Sequence, residues 1–115
     1  MNQELKLVEK FHRKFKALIG ESPQLIPQDR YELRYKLMQE EVEEYLKGAE
    51  KGDLENVAKE LADILYAVYG TIIEHGLQDK MEEIFTKVHK SNMSKDFQQY
   101  KMIKGKKYFE PKIKL

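Results

Sequence analysis

The sequence contains no cysteine, and this absence removes several kinds of chemistry at once. Disulfide bonds, thiolate metal sites and a cysteine nucleophile are all excluded. No uninterrupted apolar run approaches the roughly 18 residues that a membrane-spanning helix requires. The opening stretch, MNQELKLVEKFHRKF, carries charges too often for the apolar core of a signal peptide. We therefore expect a cytoplasmic protein with no membrane partner.

Net charge is also nearly absent, although charged residues are abundant. They make up 36% of the 115 residues, and their signs almost cancel to leave a net charge of +1. Such a balance is typical of helices with ion pairs along their surfaces, and it argues against nucleic acid as a partner. The length suits one domain over residues 1–115. Within it, residues 95–115 form a basic tail with seven lysines and two acids.

Four segments show apolar residues at every third or fourth position, the spacing of amphipathic helices. The predicted helices cover residues 3–19, 30–49, about 53–76 and 78–90. Gly20 is expected to end the first helix, Asp29 to cap the second, and Asp53 or Gly52 to cap the third. Short connections between long helices favour an antiparallel bundle. The predicted fold class is therefore all-α, with about four helices and a short irregular C-terminal tail.

The stretch QEEVEEYL, residues 39–46, places four glutamates inside a helix that otherwise has core-like faces. Because a helix turns by about 100° per residue, these glutamates separate onto different faces. Glu43 shares its face with lysines, including Lys47 four positions later, and is expected to lie in solvent. The other three continue an apolar stripe: Glu40, Glu41 and Glu44. Carboxylates resist leaving water, so we expect a cation beside these three.

The third helix, LENVAKELADILYAVYGTII, is apolar almost all round, which is typical of a central buried helix. Its carboxylates Glu60 and Asp63 share a flank with small residues such as Ala67 and Gly70, which leave room for a ligand. In an antiparallel hairpin this flank comes beside the three glutamates of the second helix. Oxygen ligands alone, without the Glu-x-x-His pair of di-iron bundles, favour Mg²⁺ or Mn²⁺. The residues therefore predict a carboxylate-lined divalent-metal site.

The two acidic motifs are EExxE in the second helix and ExxD in the third. Together they resemble the signature of the MazG-like, all-α nucleoside triphosphate pyrophosphohydrolases. VHKSNMSK, residues 88–95, and the later KGKKYFEP resemble the phosphoribosyl-ATP pyrophosphohydrolase-like branch of that superfamily. The resemblance implies Mg²⁺-dependent cleavage of a nucleoside triphosphate between its α and β phosphates, which gives a nucleoside monophosphate and pyrophosphate. Substrates of such enzymes range from non-standard nucleotides to deoxyuridine triphosphate and phosphoribosyl-ATP.

The resemblance also implies a role for each acid and for residues near the C-terminus. The residues that would hold Mg²⁺ are Glu41, Glu44, Glu60 and Asp63. Glu40 would orient or deprotonate the attacking water, or act as another ligand. Those that would reach the phosphates or sugar of the substrate are Asn92, Lys95 and, with weaker support, Lys104, Lys106 and Lys107. Such enzymes act as homodimers or dimers of dimers, with sites at or near the subunit interface.

Several alternatives stay open at this point. Asn56, in the first turn of the third helix, is either an ordinary polar residue or a support for a metal ligand. The basic tail is either a solvated end or a lid that attracts phosphates to an acidic cleft. The whole chain could instead be a non-catalytic helical dimer that binds a partner or nucleic acid. The three histidines, His12, His75 and His89, are expected at surfaces or near helix ends, without metal-site spacing.

Overall fold

The computed structural model describes residues 2–98 and 101–115, and within these ranges it contains four α-helices and one β-hairpin. The helices are α1 (Gln3–Lys14), α2 (Gln28–Glu50), α3 (Leu54–Glu74) and α4 (Met81–Met93). The hairpin pairs β1 (Asp96–Gln98) with β2 (Lys101–Ile103) in an antiparallel arrangement. The prediction of an all-α protein with four helices is confirmed. None of the described helices is both long enough and apolar enough to cross a membrane.

The described chain divides into two compact units. Asn2–Gln78 contains α1, α2 and α3, and Asp79–Leu115 contains α4 and the hairpin. In the first unit α3 packs against both α1 and α2. Its buried apolar side chains are Leu5, Val8, Ile26 and Ile73. That one domain spans residues 1–115 stays a prediction.

The turn between α2 and α3 positions the acidic motifs. Of the two helix caps predicted from single residues, one on α3 and one on α2, only the cap on α3 forms as predicted. Asp53 caps α3 as predicted, because its carboxylate accepts a hydrogen bond from the Asn56 N–H at 3.1 Å. The prediction that Asp29 caps α2 is wrong, because α2 begins at Gln28 with Pro27 before it. Asp29 lies in the first turn of α2 instead, where its charge still suits the positive end of the helix.

The segment between α1 and α2 is fixed to the end of α3. α1 stops earlier than predicted, at Lys14, and the chain then turns through Lys16 at a φ of 56°. The Gly20 N–H donates to the Ile73 carbonyl at 2.8 Å. Gly76 follows α3 at a φ of 68°, and a Cβ there would clash with the backbone of the same linker. These contacts hold the linker against α3 and so fix where α2 begins.

α3 is less covered than its composition predicts. Leu54, Leu61, Leu65 and Tyr66 expose between 41% and 78% of their surface. The prediction of a central buried helix is therefore wrong for one copy of this chain. The physical reason is that the apolar residues extend around most of α3, whereas α1 and α2 cover only part of it. An apolar surface remains along the first unit.

In the second unit, the two sequence segments behind the family resemblance contact each other. The Ser91 hydroxyl donates to the Phe109 carbonyl at 2.7 Å, and the Phe109 N–H donates to the Ser94 oxygen at 3.0 Å. The predicted irregular tail contains the β1–β2 hairpin, whose three-residue strands are too short to give a clear alternating pattern. SNMSK and KGKKYFEP therefore belong to one local structure.

Candidate metal centre

Three carboxylates from two helices meet at one point of the first unit. Glu41 comes from α2, and Glu60 and Asp63 come from one face of α3. One oxygen of each lies within 4.8 Å of the others. Oxygens bound to a single Mg²⁺ at about 2.1 Å lie at most about 4.2 Å apart. Small side-chain rotations would therefore let all three contact one ion, and the oxygen-only donor set fits Mg²⁺ or Mn²⁺.

The cluster is electrostatically strained without a cation. Glu60 is only 6% exposed, and the other two carboxylates are half-buried. The pKa of Glu41 lies above its ordinary value, first because burial disfavours its charged form and then because of the negative Asp63 and Glu60. Lys59 partly compensates, with its Nζ 2.9 Å from Asp63 and 3.3 Å from Glu60. One exposed lysine does not balance three acids, so the site favours further positive charge.

The structure does not bring Glu40 or Glu44 into this cluster. Glu40 is exposed on α2. The Glu44 carboxylate lies 3.5 Å from Lys47 Nζ, with half of its side chain in solvent. Glu43 is exposed as predicted, but the lysine that was expected to pair with it contacts Glu44 instead. The metal and catalytic roles of Glu44 and Glu40 stay predictions.

Asn56 lies one helical turn before Glu60, at the close approach of α2 and α3. A Cβ added to Gly48 would lie 2.7 Å from the Asn56 side-chain nitrogen. Glycine on α2 therefore lets Asn56 pack between the two helices. Its contact supports the helix pair that carries the acids, and a role in supporting a metal ligand stays a prediction.

The predicted substrate-binding residues lie in the second unit. Asn92 is exposed in the last turn of α4, and Lys106 is exposed in the tail. The ammonium groups of Lys95 and Lys104 lie 6.0 and 5.2 Å from the centre of the Tyr108 ring. Cations at these distances are attracted to the ring face, so two lysines share one aromatic support. Their contact with a substrate stays a prediction.

A cavity of about 220 Å³ adjoins the acidic cluster in the first unit. Its lining includes two acids of the cluster, two aromatic rings and two buried bases: Glu41, Asp63, Phe11, Tyr66, His12 and Arg34. Arg34 was not among the predicted site residues. His12 was expected at a surface or near a helix end, and it lies in the last turn of α1 but is buried. A signal for His12 was present, because it follows the buried Val8 by four residues on the same face of α1.

Arg34 is held by a network that reaches the end of α3. Its Nε donates to Thr71 Oγ1 at 3.1 Å, and one terminal nitrogen donates to the Ala67 carbonyl at 2.9 Å. The other terminal nitrogen lies 3.2 Å from Glu74, which also accepts two hydrogen bonds from Arg30. Burial lowers the pKa of Arg34, and the charge of Glu74 opposes that effect. The guanidinium is therefore fixed in place at the cavity wall.

The fold and the site together define the class of this protein. It is an all-α protein in which two paired helices carry a carboxylate cluster, a candidate divalent-metal centre, beside a small cavity. The model of the phosphoribosyl-ATP pyrophosphohydrolase family matches residues 8–92. This match covers most of the chain, which therefore belongs to that family, and the predicted resemblance is confirmed. Membership places the chain among MazG-like pyrophosphohydrolases. A search of curated proteins finds no match.

Proposed function

We propose that the protein is a Mg²⁺-dependent nucleoside triphosphate pyrophosphohydrolase. It would cleave the bond between the α and β phosphates and release a nucleoside monophosphate and pyrophosphate. The observation that carries this proposal is the cluster of Glu41, Glu60 and Asp63 in a chain of this family. Non-standard nucleotides or deoxyuridine triphosphate are the proposed substrates.

Glu41, Glu44, Glu60 and Asp63 would hold Mg²⁺ or Mn²⁺. A bound ion of this kind neutralises phosphate charge and acidifies water. Glu44 lies on the same face of α2 as Glu41, three residues further along. Its exposed pair with Lys47 is weak and exchanges at little cost, so its carboxylate is free to turn towards the cluster.

Glu40 would act as the general base that orients or deprotonates the attacking water. It is adjacent in sequence to Glu41 and exposed, and among the described residues no hydrogen bond or ion pair occupies its carboxylate. A carboxylate within hydrogen-bond reach of the water is sufficient for this role. Asn56 would support the cluster by keeping α2 and α3 in register.

The second unit would supply groups for the phosphates. The residues proposed for this are Asn92, Lys95, Lys104 and Lys106. Two of these lysines already share the Tyr108 ring, and the tail carries more lysines than acids. Phosphate binding by such a group is electrostatic and should weaken as salt is added.

The working form would be a homodimer or a dimer of dimers. The apolar surface on α3, which includes Leu61 and Leu65 at 47% and 50% exposure, suits burial against a second copy. Analytical ultracentrifugation tests this directly. A single species at the mass of one chain would contradict it.

The reaction is tested with a panel of canonical and modified nucleoside triphosphates plus Mg²⁺ or Mn²⁺. Wild-type protein should release pyrophosphate, and Glu41→Gln and Asp63→Asn should abolish the release. Glu9→Gln is the matched control, since Glu9 is an acid on α1 that pairs with Arg13. Release of orthophosphate, or turnover that survives Glu41→Gln, would refute the proposal. Salt-dependent binding to bulk nucleic acid without hydrolysis would favour a non-catalytic module instead.

A further inference from the structure

The cavity beside the acidic cluster is lined by acids in one part and by buried basic residues in another. Glu41 and Arg34 both line it, and their separation of seven residues on α2 corresponds to about 10 Å along the helix. Pockets for drug-sized ligands typically measure about 300–1,000 Å³. At about 220 Å³ this cavity suits one ring system, with the acids at one level and the buried bases at another.

His12 presents a hydrogen-bond acceptor to the cavity. The side chain is 3% exposed, and its Nδ1 lies 2.8 Å from the Leu18 carbonyl. A carbonyl can only accept, so Nδ1 carries the hydrogen and Nε2 of the neutral ring is an acceptor. Among the described residues Nε2 has no hydrogen-bond partner. Because His12 lines the cavity, this acceptor without a protein partner is available to a ligand that donates to it.

Arg34 presents donors close to that acceptor. A guanidinium has five N–H groups. Three of them are directed to Thr71, Ala67 and Glu74, which leaves two for a ligand. Gly70 makes the approach possible, because a Cβ there would clash with the Arg34 guanidinium and lie 3.1 Å from His12 Nε2. A fixed donor and a fixed acceptor therefore meet at one glycine of α3.

The remaining walls are apolar and aromatic. The rings of Phe11 and Tyr66 lie 5.5 Å apart at an angle of 87°, and Leu37 and Ala67 also line the cavity. Such walls suit a flat ring and give little to a hydrated phosphate. A phosphate oxygen also has no hydrogen to donate to His12. The ligand indicated is a planar heterocycle with an N–H beside an oxygen or nitrogen acceptor.

We infer that this cavity binds the nucleobase of the substrate. His12 Nε2 accepts a hydrogen bond from an N–H on the base edge, and Arg34 donates to the neighbouring acceptor on the same edge. This inference rests on the proposed function, since it assigns the base-binding part of that site. His12 and Arg34 are then the residues that determine which base is accepted.

The test uses His12→Asn and His12→Gln. The amide group of asparagine reaches about as far as Nδ1 of the histidine and keeps an N–H for the Leu18 carbonyl. The amide group of glutamine reaches about as far as Nε2. The readout is kcat/KM for deoxyuridine, deoxycytidine, deoxyadenosine and deoxyguanosine triphosphates, and for ribose 5-triphosphate, which has no base. His12→Asn should lower kcat/KM for the best nucleotide by about tenfold or more. It should leave ribose 5-triphosphate within about twofold, and His12→Gln should retain more of the selectivity.

His75→Asn is the matched control. The Nδ1 of His75 also lies 2.8 Å from a backbone carbonyl, that of Gln24, but His75 does not line the cavity. It should leave the ratios between nucleotides unchanged. An equal loss for His12→Asn on every substrate, the base-less one included, would show that His12 acts on the fold or the phosphates and would overturn the inference. Unchanged selectivity would overturn it as well.

If the protein cleaves neither these substrates nor any modified nucleotide of the wider panel, the proposed function is refuted, and the base-binding inference is then tested by a binding measurement. Saturation-transfer NMR on metal-free protein then detects the corresponding free nucleosides, which lack phosphates. A nucleoside signal that is seen with wild type and with His75→Asn, but not with His12→Asn, would support the inference. No contact of any nucleoside with wild type would overturn it.

Discussion

Replacing Glu74 by glutamine removes the charge that balances two arginines inside the first unit. The Glu74 side chain is fully buried, 2.8 Å from Arg30 and 3.2 Å from Arg34. The Arg34 side chain is 11% exposed, so its charge cannot recover much solvation once its partner is neutral. Breaking one side of a buried pair costs about 3–5 kcal/mol. Against a total stability of about 5–15 kcal/mol, that is a large fraction.

Urea unfolding followed by far-ultraviolet circular dichroism, at one protein concentration and without metal, measures this loss. Glu9→Gln is the comparison, because it also breaks an Arg–Glu pair, at 2.9 Å, but with the Arg13 side chain 67% exposed. The Glu9 side chain is only 17% exposed, but its arginine stays in solvent, so this i,i+4 pair should contribute about 0.3–0.5 kcal/mol. If Glu74→Gln costs no more than Glu9→Gln, the argument from burial is wrong.

Two further predictions concern the acids of α2. Glu41→Gln should stabilise the metal-free protein and remove the rise in Tm that we expect Mg²⁺ to give. Because burial and neighbouring charges raise the pKa of Glu41, the folded protein retains a proton that the unfolded chain has released. The stability of the metal-free protein should therefore fall as pH rises from the ordinary pKa of a glutamate to the raised pKa of Glu41. Glu41→Gln should make this fall smaller, and thermal unfolding at a series of pH values measures it. Glu43→Gln should leave pyrophosphate release near normal and Glu44→Gln should not; equal effects of the two would contradict the assignment of faces.

Much of the acidic cluster could be predicted because the helix period alone decides which glutamates share a face. That period and an antiparallel hairpin bring Glu41 beside Glu60 and Asp63, but they also place Glu40 and Glu44 on the same stripe, and these two lie outside the cluster. Arg34 was missed because its burial depends on Glu74, which lies on another helix and far along the chain. A lone arginine in a charged helix is normally solvated, and local pattern carries no information about a distant partner.

The helix boundaries show the same division between local and distant causes. Asp53 caps α3 through a hydrogen bond within its own turn, which a local motif describes. α1 ends at Lys14 although apolar spacing continues beyond it. The residues that follow are bound to α3, as the Gly20 contact with Ile73 shows. A tertiary contact therefore overrides the apolar pattern there.

The hydrogen bonds of Ser91 and Ser94 to Phe109 bear on how the chain can be shortened. A truncation that removes Phe109 together with the rest of the lysine-rich end would remove the acceptor of the Ser91 hydroxyl, and Ser91 is only 2% exposed. A buried hydroxyl without a partner costs about 1–3 kcal/mol. A truncated protein for crystallisation or display should therefore retain the chain through Pro111. The last four residues are the part that can carry a tag or be removed.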